Sequence, residues 1–346
     1  MAERLIITNG DSAAQGIREA GIEADVLPWR DVLHEGPAPA GLLLEALSLV
    51  RAPFLAAAFG KPLVQVGRDF AQRDSVVRGH RSYDQVELWF EHDLYDQLQL
   101  IQLLDFFASE RRTEGLSVMQ ADDYLGTMRA PSLRDHDQTA RPVDPEILNA
   151  AARGWTAFTS STPAAMAAQS ATEIPAMPYL APAFRRLIQE LPGVGSGLTL
   201  TQERIVTALM DQPRTVAAVL GTTQVWEDAR FLSDLSFFRQ IDDLVFAETP
   251  LLEGLPSRSR DLPADAEAPA YIAYAQAKLT VTDAGRAAHA GRFDHAVENG
   301  IDRWMGGTHL TAASLWRRNR DGGLAPNPSA ARPETAPSHD PDPELA

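Results

Sequence analysis

The first 125 residues alternate short apolar runs with helical stretches, and this alternation constrains the fold more than any other feature of the sequence. Four runs that end at turn or polar residues are predicted strands: Leu5–Thr8, Ala24–Trp29, Val86–Glu91 and Leu116–Gln120. The helical segments between them, such as 41–59 and 94–112, can carry the chain back across a sheet. We therefore expect a doubly wound, parallel α/β domain over residues 1–125.

The pattern changes after residue 125. Residues 126–192 combine a polar loop with a helical extension that prolines interrupt, and the glycine-rich segment 191–197 predicts a linker. At the other end, residues 321–346 contain six prolines and few large apolar groups, which predicts a disordered tail.

Residues 198–320 predict a winged-helix-like module of three helices, a strand region and a further helix. Thr199 and Gln202 have the spacing of a capping box for the first helix. Gly221 is expected to end the second helix. The third helix is expected over 224–243, a segment that contains five acidic residues and two arginines. This helix should repel DNA, so we expect it to contact protein, either a partner or this chain.

Composition excludes several classes of function. The chain has no cysteine, so it has no disulfides, thiolate nucleophiles or Cys-ligated metal sites. Its 31 basic and 47 acidic residues give a formal charge of −16, and we therefore expect no nucleic-acid partner. No signal peptide and no apolar run of about 18 residues is visible, so we expect a cytoplasmic protein with no membrane partner.

Polar and ionisable residues follow every predicted strand of the first domain. Because the carboxyl ends of parallel strands meet at one edge, these residues should line a single crevice, where ligands of such folds bind. The residues expected to take part in catalysis are His34, His92, Arg30 and Asp31. Those expected to bind substrate are Asn9, Asp11, Ser12, Glu35 and Gln97. The expected metal ligands are His92, Asp93 and Asp96.

The residue types suggest their roles. Arg30 can bind a carboxylate or phosphate in a bidentate manner, and Asp31 can orient a neighbouring group or bind metal. His34 or His92 can serve as a general base or as a metal ligand. With Asp93, such a nitrogen and oxygen ligand set suits Mg²⁺, Mn²⁺, Fe²⁺ or Zn²⁺, so a divalent metal is the expected cofactor.

Structural alternatives exist for several of these residues. Asp11 or Ser12 could cap the first helix, and Asp93 could cap the helix that follows it. Arg30 and Asp31 could form a buried ion pair that orders their loop.

The motif Arg303–His309, RWMGGTH, is a further candidate. Its paired glycines permit close backbone approach. Trp304 and His309 could line a pocket or fold back over the N-terminal crevice, and the alternative is that Trp304 anchors the last helix.

Three blocks of the chain resemble a bacterial family catalogued as domain of unknown function 1835. They are NGDS at 9–12, WRDVLHEGP at 29–37 and WFEHDLYDQ at 89–97. The blocks FLSDLSFFR at 231–239 and RWMGGTHL at 303–310 look like the region that follows this domain in proteobacterial members. The resemblance covers about residues 1–125 and implies no catalytic assignment.

Three functions remain open on the sequence. The first is an enzyme that acts on a small anionic substrate by metal-assisted hydrolysis or group transfer. The second is a regulator that senses a ligand in the crevice and contacts a protein partner through its C-terminal module, without catalysis. The third is an assembly protein whose crevice is structural.

Overall fold

The computed structural model describes residues 3–263 and 268–325. The helices are α1 (Gly10–Glu19), α2 (Leu44–Ala58), α3 (Leu63–Arg78), α4 (Leu94–Ser109), α5 (Ala130–His136), α6 (Pro145–Phe158), α7 (Ala164–Ser170), α8 (Leu180–Ile188), α9 (Leu200–Leu209), α10 (Val216–Val225), α11 (Asp234–Val245), α12 (Pro269–Gln276), α13 (Asp283–His289) and α14 (His295–Glu298). The strands are β1 (Arg4–Asn9), β2 (Asp25–Trp29), β3 (Gly36–Pro37), β4 (Gln85–Phe90), β5 (Leu116–Gln120), β6 (Arg141–Pro142), β7 (Arg214–Thr215), β8 (Leu252–Glu253), β9 (Lys278–Val281), β10 (Asp302–Gly306), β11 (Thr308–Thr311), β12 (Arg317–Arg318) and β13 (Leu324–Ala325).

The main sheet has the strand order β2-β1-β4-β5-β6, and the α/β prediction is confirmed. The first four strands are parallel, and β6 adds an antiparallel edge strand that the sequence did not predict. Leu5, Ile6 and Ile7 of β1 are all fully buried, because helices cover both faces of the sheet. One core lies under α1 and α5, and the other lies under α4, α6 and α8.

The strand order reverses next to β1, and this places the switch point of the sheet between β1 and β4. From β1 the chain first moves to β2 on one side and later to β4 on the other. Asn9 is the last residue of β1 and precedes α1 as its N-cap, so the predicted cap by Asp11 or Ser12 is wrong. Both of those side chains are exposed in the first turn.

The C-terminal module has its own core and a three-stranded antiparallel sheet in the order β7-β9-β8. The capping box of Thr199 and Gln202 at the start of α9 is confirmed. The winged-helix-like description of this module stays a prediction.

The helix boundaries predicted for this module are wrong in two places. α10 continues through Gly221, because a glycine within a helix need not end it. α11 begins at Asp234 rather than 224, because the Ser233 hydroxyl accepts a hydrogen bond from the Ser236 amide at 3.2 Å and caps it there.

The hairpin of β10 and β11 belongs to the N-terminal core, although the sequence predicted it within the C-terminal module. β10 pairs in parallel with β3, with Met305 opposite Gly36, and Met305 and Leu310 lie in the large core. Gly306 has a positive φ of 57°, and a Cβ atom there would lie 2.1 Å from the Phe158 carbonyl oxygen. This close approach explains the need for glycine in the motif.

Two predicted irregular segments are ordered. Leu191 is fully buried, and the Gly193 amide donates to the Leu198 carbonyl at 2.8 Å, so segment 191–197 is a packed turn rather than a linker. β13 pairs with β12, so the predicted tail begins too early, and its remainder, 326–346, lies outside the described residues. Within the described part of the chain, no helix is long and apolar enough to cross a membrane.

Candidate functional site

Three acidic side chains meet at the switch point of the sheet, and we call them the acid cluster: Glu91, Asp93 and Asp96. One carboxylate oxygen from each lies within 4.8 Å of the others, and all three side chains are buried. Asp96 accepts hydrogen bonds from the Glu91 amide and from Asn9 Nδ2, both at 2.7 Å. Glu91 Oε1 accepts from the Leu125 amide at 2.7 Å. The acid cluster therefore ties together β1, β4 and the loop after β5.

Burial controls the protonation of the acid cluster. Asp93 Oδ1 accepts from the Asp96 amide at 3.0 Å, which confirms Asp93 as the cap of α4. Burial, reinforced by the neighbouring carboxylates, raises the pKa of Asp93 to about 7 and that of Asp96 well above its ordinary value. Burial also raises the pKa of Glu91. Either protons or a divalent cation can balance this charge, and three carboxylates suit Mg²⁺ or Mn²⁺.

His92 does not belong to the acid cluster, so the structure does not bring together the expected metal set of His92, Asp93 and Asp96. Its ring lies against Tyr124 and Tyr179, with centroids 5.2 and 5.9 Å away. Successive residues of an extended segment point to opposite sides, and Glu91 takes the place that we expected for His92. Burial lowers the pKa of His92.

Gln97 hydrogen-bonds to the backbone of this region and does not face an open crevice. The side chain is fully buried, and its Nε2 donates to the Glu91 carbonyl at 2.7 Å. A substrate would have to displace this contact to reach Gln97.

Arg30 and Asp31 form separate ion pairs, so the predicted pair between them is wrong. The exposed Arg30 donates from Nη2 to Asp11 Oδ1 at 2.5 Å. Asp31 is 1% exposed and accepts from Arg51 Nη2 at 2.7 Å. Arg30 therefore contacts solvent, whereas Asp31 belongs to the packed interior.

Arg51 fixes the loop between β2 and β3, and sequence reasoning missed it. Its guanidinium is fully buried and donates to Asp31 and to the carbonyls of Val32, Glu35 and Pro37 at 2.8, 2.6 and 3.3 Å. An arginine within the apolar helix predicted over 41–59 was the available signal, because a buried guanidinium requires several acceptors.

A cavity of about 500 Å³ lies between the loop after β2, helix α11 and strand β10, and we call it the intermodule cavity. The ionisable residues in its lining include His34, Glu35, Arg239, Asp243 and Arg303. The acid cluster does not line it. The structure thus divides the single crevice that the sequence predicted into two places.

His34 enters the cavity wall as a neutral side chain. It is 4% exposed, and its ring lies edge-on to Phe231 with centroids 5.1 Å apart. Burial lowers the pKa of His34 to about 4, which makes it a weaker base than the sequence suggested. His34 Nε2 is 3.7 Å from Glu35 Oε1, and the other Glu35 oxygen accepts from Arg239.

Asp243 and Arg303 also line the cavity, together with Glu190, Arg258 and Asp302, and none of these was expected as a site residue. The Asp243 side chain is exposed to solvent and lines the cavity, close to Arg239 and Arg303. Desolvation by the neighbouring protein raises the pKa of Asp243 to about 6, against the opposing effect of Arg239 and Arg303. Arg303 is surrounded by protein and donates to the Glu190 carbonyl, and desolvation lowers its pKa.

The Arg303–His309 motif does fold back over the N-terminal domain, as one of its two readings predicted. β10 pairs with β3, and Trp304 lines the cavity. The rings of Trp304 and His309 stack with centroids 4.3 Å apart, and His309 Nε2 is 2.7 Å from Asp302 Oδ1. Of the two rings, Trp304 lines the cavity and His309 does not.

Comparisons with known proteins add no assignment to this geometry. The sequence matches no protein-family model, and a search of curated proteins gave no match. The resemblance of its N-terminal blocks to the family catalogued as domain of unknown function 1835 therefore stays a prediction.

Proposed function

We propose that this protein is an enzyme that binds a small anionic substrate in the intermodule cavity and catalyses a hydrolysis or group transfer. One observation carries the proposal: Asp243, an aspartate with a raised pKa, lines the same cavity as the half-buried cation Arg303. A carboxyl group that titrates near pH 6 exchanges protons efficiently, and a guanidinium in a poorly hydrated cavity attracts anions strongly.

Each residue then has a distinct role. Arg303 holds the anionic group of the substrate. Asp243 takes a proton from the attacking water or hydroxyl group and returns it to the leaving group. His34, which is neutral and buried, packs behind the cavity wall beside Glu35, and the base role expected for it passes to Asp243.

The divalent metal expected from the sequence has no role in these steps, because the acid cluster does not line the cavity. A cation bound there would order the strand ends rather than contact the substrate. Metal-assisted catalysis therefore stays a prediction, and the proposed acid–base steps do not depend on it.

A panel of phosphate monoesters, carboxylic esters and amides, each with an anionic group, tests the proposal. We expect turnover of one class by the unaltered protein, with a rate that rises with pH through an apparent pKa of about 6. Asp243→Asn should lower kcat by about 100-fold or more while circular dichroism shows a folded protein. Equal rates for the variant and the unaltered protein would remove Asp243 from the mechanism.

A second function, ligand sensing without turnover, is supported by the position of the cavity between the modules. Glu35 of the N-terminal loop pairs with Arg239 of α11 across the cavity wall, so a ligand there would contact both modules. Nuclear magnetic resonance of a bound panel compound separates the two functions. A compound that protects α11 from hydrogen exchange and stays chemically unchanged favours the sensor.

The inward orientation of α11 also bears on partners. Arg239 and Asp243 of this helix face the cavity, which favours packing within the chain over insertion into DNA. Salt-sensitive binding to a defined duplex would contradict that part of the proposal.

A further inference from the structure

Three of the four acids that line the intermodule cavity are engaged by basic side chains of this chain. The pairs are Glu35 with Arg239, Glu190 with Arg186, and Asp302 with His309. The charges of these acids are therefore compensated by protein. What the cavity attracts depends on the charged groups of its wall that have no such partner.

Two arginines of the same wall, Arg258 and Arg303, form no ion pair among the described residues. From Nη2, Arg258 donates to the Phe246 carbonyl at 3.3 Å, and Arg303 donates to the Glu190 carbonyl. Both side chains are half-buried. Nε and Nη1 of Arg258 and Nη1 of Arg303 have no acceptor in the described part of the chain and are not enclosed by it. These N–H groups are therefore available to a ligand.

The two arginines are close to the acid that we propose for proton transfer. The Arg258 guanidinium lies 4.6 Å from the centroid of the Phe246 ring, which also lines the cavity. Asp243 precedes Phe246 by three residues, so the two lie on one face of α11, about 4.5 Å apart along its axis. Arg303 is near enough to Asp243 to oppose the rise of its pKa. Asp243 and both arginines thus belong to one part of the cavity.

The charges in this part of the cavity describe the ligand. The chain has 47 acidic and 31 basic residues, so a shortage of carboxylates does not explain two arginines that meet no acid. Two uncompensated guanidiniums outweigh the one uncompensated acid, Asp243. A monoanion would compensate one arginine, whereas a ligand with two negative charges would compensate both.

We propose that Arg258 is a substrate-binding residue that, together with Arg303, makes the intermodule cavity selective for a dianion. This inference rests on the proposed function, which requires one anionic contact at Arg303, and it adds the second contact at Arg258. A phosphate monoester and a dicarboxylate share this chemistry. The cavity volume of about 500 Å³ is large enough for a small molecule of either kind.

Matched ligand pairs test the inference on the unaltered protein. Calorimetry would compare phenyl phosphate with its methyl diester, and succinate with succinamate, at about pH 7, where a phosphate monoester is mostly a dianion. We expect the dianion of at least one pair to bind about ten-fold or more tightly than its monoanionic counterpart. The pair that responds identifies the substrate class as phosphate monoester or dicarboxylate.

A variant of Arg258 separates substrate binding from a structural role at the end of α11. Arg258→Gln should weaken the dianion by about ten-fold and leave the monoanion within about two-fold. Arg258→Lys keeps a positive charge and should recover part of the loss. Arg260→Gln removes a nearby exposed arginine outside the cavity wall and should change neither affinity. If Arg258 only held the end of α11, its loss would weaken both anions alike.

The outcomes separate this inference from the function on which it rests. Equal affinities within both ligand pairs would overturn the selectivity for a dianion and leave the anion site in place. A loss in Arg258→Gln that does not depend on ligand charge would overturn the role of Arg258. If no anion binds, both proposals are wrong. The ligand pairs need no variant, so they decide the question even if Arg258→Gln fails to fold.

Discussion

The acid cluster and the intermodule cavity each bring several ionisable groups out of bulk water, but they satisfy those groups differently. In the acid cluster, backbone amides and Asn9 supply donors to the carboxylates. In the cavity, Glu35 is paired with Arg239, whereas the Asp243 side chain is exposed to the open space. A high density of charged residues thus serves structure in the first place and is available to a ligand in the second.

The largest expected effect concerns the loop that brings His34 and Glu35 to the cavity. Arg51→Met leaves the buried Asp31 without its hydrogen-bonded partner, with only Arg73 at 3.9 Å as counter-charge, and should lower the free energy of unfolding by about 3 kcal/mol. Arg30→Met, which breaks the exposed pair with Asp11, is the matched control and should change it by about 0.5 kcal/mol or less. Urea denaturation measures both values. Similar losses in the two variants would show that burial of the Asp31 pair is unimportant.

The second prediction concerns the pH dependence that the acid cluster imposes. In the folded protein the pKa of Asp93 is about 7, whereas in the unfolded chain it is about 4. Stability is therefore highest below this interval and falls as the pH rises through it.

Asp93→Asn should weaken this dependence, since asparagine keeps the helix cap without a charge. Part of it should remain, because the pKa values of Asp96 and Glu91 are also raised. At pH 8 we expect the variant to be more stable than the unaltered protein by about 2 kcal/mol. Denaturation at pH 5 and pH 8 measures the difference, with the exposed Asp211→Asn as the control. A variant that is less stable at both values would contradict the protonated state of the acid cluster.

A metal titration gives a smaller effect and decides whether protons or a cation neutralise the negative charge of the acid cluster. If Mn²⁺ binds there, a concentration ten times its Kd should stabilise the protein by about 1.4 kcal/mol. Asp96→Asn should abolish this gain, whereas Asp243→Asn in the cavity should keep it. Equal stabilisation of both variants would place the ion elsewhere, and no stabilisation of any form would leave protons as the balance.

The smallest effect is expected at the border between the two regions. The Arg230 guanidinium lies 4.6 Å from the centroid of the Tyr124 ring, next to His92. Arg230→Ala should cost about 0.5–1 kcal/mol of stability in urea, because this cation–π contact is exposed. Arg230→Lys keeps a cation and should recover part of the loss. An Arg230→Ala variant as stable as the unaltered protein would show that the contact does not stabilise the fold.

The sequence predicted the parallel sheet well because its signals are local. Apolar runs such as Leu5–Thr8 and the turn residues after them depend on neighbours in the chain, and so does the cap formed by Asp93. The grouping of Glu91, Asp93 and Asp96 follows from the same rule, since all three come from one strand end.

The cavity could not be predicted in the same way, because its wall combines distant segments. His34, Asp243 and Arg303 become neighbours only through the pairing of β10 with β3 and the packing of α11. The error at the start of α11 had a local cause, since the apolar spacing continued upstream of the Ser233 cap. Arg51 was visible in the sequence, but its acceptors are backbone carbonyls that no residue type reveals.

The pairing of β10 with β3 also sets an order of events during synthesis. Gly36, at the end of the loop that carries His34, leaves the ribosome about 270 residues before Met305, with which it pairs. At about 5–20 residues per second, this interval lasts tens of seconds. Strands β1, β2, β4 and β5 can assemble while the ribosome is still translating the second half of the message. A nascent chain stalled before residue 302 would therefore hold a formed sheet without the binding cavity.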